Sequence, residues 1–68
     1  MSAQSTDAAD LSSIRTQVDD IERRVTAMAE RYGTSPDSQA AADLFSAERS
    51  LGAAKRALDR ASRAIERE

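Results

Sequence analysis

Leu11, Ile14, Val18, Ile21, Val25, Met28 and Tyr32 are spaced 3, 4, 3, 4, 3, 4 along the chain. That alternation is an a/d heptad row over three heptads, and only an α-helix brings all seven to one side. With Leu11 at a, the second a positions are Val18, Val25 and Tyr32, and Ile14, Ile21 and Met28 stand at d. The positions between them are mainly charged or small and polar, as a solvated face requires.

The row stops at YGTSPDS, residues 32–38. Gly33 suits a left-handed residue just past a helix end. Ser35 suits an N-cap and Pro36 the first helical position, where its missing N–H costs nothing. Asp37 would set a negative charge near the positive end of the next helix dipole. The sequence therefore predicts one helix over about 7–32, a turn at 33–35 and a second helix over about 36–67, with 1–6 a disordered tail. So short a link joins antiparallel neighbours. The expected fold class is all-α, an antiparallel two-helix hairpin resembling a coiled coil and dimerising into a four-helix bundle.

The second half carries Leu44, Leu51, Leu58 and Ile65 every seventh place, with Ala47, Ala54 and Ala61 three places after the first three. Folding back about the turn pairs positions whose numbers add to about 69: Val25 with Leu44, Val18 with Leu51, Leu11 with Leu58. Ile65 finds no apolar partner near Gln4 and is expected to overhang. The predicted hairpin core is Leu11, Ile14, Val18, Ile21, Val25, Met28, Tyr32, Leu44, Leu51, Leu58 and Ile65. Alanine beside leucine lets a neighbouring helix approach closely, and Ser50, Ala57 and Ala64 widen the face beyond one partner's needs, as in a bundle. A chain of 68 residues buries a small share of its surface and commonly needs a partner.

Phe45 lies off the row, at b, and either folds over the hairpin end or anchors an interface. Gly52 in mid-helix costs about 1 kcal/mol relative to alanine, which a close crossing near Ala41, Phe45 and Gly52 would explain. The expected oligomer or partner interface is Ala41, Phe45, Gly52, Ala57 and Ala64. Arg49, Arg56, Arg60, Arg63 and Arg67 form an outward stripe fit for an acidic partner, with ion pairs expected for Arg56–Asp59 and Arg63–Glu66.

Cysteine and histidine are both absent, which removes disulfides, thiolate sites and the commonest base and metal ligand. Ser12 and Ser13 have no base nearby, and no glycine-rich phosphate loop is present. No catalytic residue, cofactor or metal site is assigned. Asp19, Asp20 and Glu22 read as a solvated face paired with Arg15 and Arg23. Ten basic and twelve acidic residues, net −2, and an arginine stripe without stacking aromatics make nucleic acid an unlikely partner. No apolar run reaches the roughly 20 residues of a membrane span, and residues 1–10 carry no signal-peptide pattern. A cytoplasmic location is the default. The preference for alanine, and for arginine over lysine by nine to one, is typical of high-GC genomes such as those of actinobacteria and their phages. The turn has no tryptophan, and RASRAIERE has no tyrosine, so the chain does not resemble the small secreted hairpins with a Trp-X-Gly turn.

The function expected is a non-enzymatic interaction or scaffold module that self-associates through its heptad faces, as a homodimer. The alternative is a small regulator that masks a target protein, antitoxin-like or a phage-encoded inhibitor. Weak nucleic-acid binding through the arginine stripe ranks third.

Overall fold

A computed structural model describes residues 3–68, and side chains from residue 6 onward. Two helices pack side by side as an antiparallel hairpin, α1 over Ala3–Tyr32 and α2 over Gln39–Arg67. The rod measures 52 × 15 × 10 Å, in keeping with helices of 30 and 29 residues, each about 44 Å long at 1.5 Å per residue. α1 begins four residues ahead of the expected Asp7, so 3–6 is helix, and residues 1–2 of the expected tail lie outside the described residues.

The turn is six residues, 33–38, not three. The Ser35 N–H donates to the Tyr32 carbonyl at 3.3 Å, and the Ser38 N–H donates to the Ser35 carbonyl at 3.3 Å. Pro36 is thus the second residue of a tight turn, a place its fixed φ also suits. Ser38, not Ser35, caps α2: its backbone is extended (φ −75°, ψ 112°) and its Oγ accepts the Ala41 N–H at 3.0 Å. Such a cap is worth about 1 kcal/mol. Gly33 does not take the expected left-handed conformation; no described residue has positive φ. Its N–H donates to the Ala29 carbonyl at 2.8 Å, prolonging the helical pattern by one bond.

Three cross-helix contacts fix the register. Arg15 meets Asp59, Asp19 meets Lys55, and Thr26 meets Glu48, each pair adding to 74. The longer turn has shifted α2 by about one helical turn from the register expected. Leu51 and Leu58 therefore fall between the levels of Val25, Val18 and Leu11 rather than opposite them. Ile65 comes level with the residues beside Ala8 and is half-buried, so it does not overhang.

The contact faces are rotated relative to the heptad rows. In α1 the covered positions are Ala8, Leu11, Arg15, Val18, Asp19, Glu22, Val25, Thr26 and Ala29, which are a, b and e, not a and d. In α2 they are Ala41, Leu44, Phe45, Glu48, Leu51, Gly52, Lys55, Leu58, Asp59, Ser62 and Ile65, at a, b and e, with Ala64 also half-buried. Among the described residues the only buried apolar ones are small: Ala29 at 0% and Ala41 at 6% exposure. None of the large side chains among the described residues is fully buried.

Candidate interaction surface

Two unlike long edges flank the line of helix contact. Along a helix, successive residues advance by 100°, so e and b lie to one side of a and d to the other. In an antiparallel pair this sends the e and b positions of both helices to one edge, and the d positions of both to the opposite edge.

The e/b edge is polar and closed by cross-helix pairs. The Lys55 ammonium donates to Asp19 at 2.5 Å and to Glu22 at 2.8 Å. Arg15 reaches Asp59 at 2.7 Å, and the Thr26 hydroxyl donates to the Glu48 carboxylate. Intrahelical pairs extend the network: Arg23–Asp19 at 2.6 Å and Arg63–Asp59 at 2.5 Å. Asp59 thus pairs with Arg15 and Arg63, not with Arg56, and Arg63 does not pair with Glu66. Half-exposed pairs like these contribute little stability each. Their geometric demand does select one register, because a slip of one turn would separate every pair. Ser12, Arg15, Thr16, Asp19, Lys55, Arg56 and Asp59 line a shallow open groove on this edge, in which most of the charges already neutralise one another.

Gly52 belongs to this edge. A Cβ there would come within 3.0 Å of the Glu22 Oε2 and 3.5 Å of an Arg56 guanidinium nitrogen. The missing side chain makes room for the carboxylate that holds Lys55. Phe45 lies at the turn end, where its ring edge would stand 3.8 Å from a Cβ on Gly33. Of the five positions expected at an outer interface, Ala41, Phe45 and Gly52 are thus turned toward α1, Ala64 is half-buried and Ala57 is exposed.

The pairing shifts proton affinities. The Lys55 hydrogen bond, helped by the charges of Arg23 and Lys55 and opposed by desolvation, holds Asp19 below the usual carboxylate range. The Arg63 hydrogen bond does the same for Asp59. Hydrogen bonds to Asp19 and Glu22 raise Lys55. A lowered carboxylate stabilises the fold above its unfolded pKa, near 3.9, and the effect is lost as pH falls through the folded value. A raised lysine stabilises below about 10.4 and the effect is lost as pH rises through its folded value. Thermal melts followed by circular dichroism should therefore be flat between about pH 5 and 9 and fall below about pH 4. Asp19→Asn should melt lower at neutral pH and lose part of the acid sensitivity; an unchanged acid limb would contradict the assignment.

The d edge is apolar and open. Its Ile14, Ile21 and Met28, expected in the core, are 38%, 44% and 41% exposed, and Tyr32, the last a residue and also expected in the core, is 53% exposed at the turn end. Beside them on α2, Ala47, Ala54 and Ala61 are also exposed. The half-buried a residues Leu11, Val18, Val25, Leu44, Leu51 and Leu58 form the floor between these two rows. Together they make one apolar face along the rod.

Arg49, Arg56, Arg60 and Arg67 are exposed on the back and polar flank of α2, and none of them forms an ion pair among the described residues. Both aromatics, Tyr32 and Phe45, sit at the turn end. No helix described here is long and apolar enough to cross a membrane, and no group of three potential metal ligands occurs among the described residues. Asp20 points to Arg24, 3.9 Å away, while Asp19 and Glu22 hold Lys55. The fold and its two edges define a helical hairpin with one ion-paired side and one open apolar side. Set against known protein families, curated proteins and solved structures, the chain matches none.

Proposed function

We propose that this chain is a non-enzymatic assembly module, a helical hairpin that self-associates through its open d edge into a four-helix bundle. The observation that carries this is the placement of Ile14, Ile21 and Met28: heptad-spaced, large and apolar, yet outside the hairpin. A helix in a four-helix bundle has two neighbours and needs two adjoining contact strips. Here the a/e strip is used within the chain, while the d row, with the outer flank of the a residues, is open.

Area supports the same reading. The hairpin exposes 4943 Å², against roughly 4,200 Å² for a globular chain of its mass. The excess is close to the ~800 Å² that each partner contributes to a standard interface. Size-exclusion chromatography with light scattering at micromolar concentration should give twice the chain mass of 7.3 kDa. A well-folded species of single mass would refute the proposal.

A further inference from the structure

Two hairpins stacked face to face by a twofold axis have two ways to meet. An axis along the rod puts both turns at one end and stacks α1 of each copy on α2 of the other. An axis across the rod puts the turns at opposite ends and stacks like helix on like. Granted the self-association proposed above, we infer that the second copy docks about the axis along the rod.

That axis preserves height, so α1 meets the partner's α2 at the height where it meets its own. No sliding freedom remains, and the hairpin register dictates the contacts. Pairs adding to 74 or 75 are level: Ile14 with the partner's Ala61, Ile21 with the partner's Ala54, Met28 with the partner's Ala47. Every bulky residue of the d edge then meets an alanine, the large-into-small fit that fills a helix interface evenly. The crosswise arrangement instead centres Ile21 on the partner's Ile21 and sets alanines against alanines. It would spread one helix pair and pinch the other.

Charge agrees with volume. Arg31 and Asp43 are exposed g residues beside the d edge, level with each other, and neither forms an ion pair among the described residues. Within one chain they lie on opposite flanks of the apolar face. Docking about the long axis brings Arg31 beside the partner's Asp43, twice by symmetry.

The chain has no cysteine, so Thr34→Cys in the exposed turn accepts a single nitroxide label without touching either edge. Pulsed electron–electron distance measurement, run beside light scattering, separates the cases. A dimer with labels within roughly 30 Å, a few helix spacings of 8–10 Å, is expected. A dimer with labels separated by nearly the 52 Å rod length would overturn this arrangement and leave self-association standing. A monomer without dipolar coupling would overturn both.

Discussion

Ile21→Glu is expected to convert the proposed dimer to monomers. Ile21 sits at the middle of the open edge and is 44% exposed in the single hairpin, outside the half-buried positions that line the seam between α1 and α2. In a dimer the substitution deletes two buried isoleucines and places two carboxylates in an apolar seam. Burying the exposed part of each isoleucine is worth about 1 kcal/mol, and each unpaired carboxylate left in the seam costs about 1–3 kcal/mol or more, so about 4 kcal/mol or more is lost per dimer, more than 100-fold in Kd at 1.4 kcal/mol per decade. Sedimentation equilibrium across the micromolar range should report the monomer mass. Arg49→Glu, a reversal on the exposed back of α2, should leave the mass unchanged. A dimer that survives Ile21→Glu would mean that the open edge is not the assembly surface.

Leu51→Ala is expected to weaken the hairpin itself. Leu51 lies on the floor of the apolar face, between the levels of Val18 and Val25, and touches both the intrachain seam and the face offered to a second copy. Leucine-to-alanine changes cost about 2–5 kcal/mol in cores, and partial exposure puts this site near the low end. At roughly 4–8 °C per kcal/mol for a domain of this size, the thermal midpoint should drop by about 10 °C or more. The two substitutions separate the two contact strips. The Ile21→Glu loss should appear mainly as dissociation, whereas the Leu51→Ala loss should persist at any concentration. A midpoint within a few degrees of wild type would remove Leu51 from the core.

Much of the architecture was legible in the chain. The 3, 4 spacing in each half and the break at Gly33 to Ser38 specify two helices and a reversal. The turn length was harder, because Ser35 followed by Pro36 and Ser38 followed by Gln39 are both credible helix starts. Backbone hydrogen bonding decides for the second: the Ser35 carbonyl is occupied by the Ser38 N–H, and only Ser38 reaches a free N–H in α2. Those three residues displaced the register by a turn.

The rotation of the contact strip was harder still. Arg15, Glu22, Glu48 and Lys55 carry full charges, and on a single helix such residues read as solvated. They reach across, Arg15 to Asp59, Glu22 to Lys55 and Glu48 to Thr26, only once two helices are side by side, a pairing that no one-helix pattern encodes. The open edge followed from the same cause. Ile14, Ile21 and Met28 have the composition of core residues, and sequence alone does not say that the hairpin leaves them exposed.

Lys55 has one more consequence. It is the sole lysine in the chain, and its ammonium is held between Asp19 and Glu22. Its side-chain nitrogen becomes a ready nucleophile only after losing a proton that both carboxylates help it keep. An acylating reagent applied at mildly alkaline pH would therefore modify this nitrogen slowly while the helices stay zipped, and faster once they part. The rate of that one acylation would serve as a built-in gauge of how often the hairpin opens.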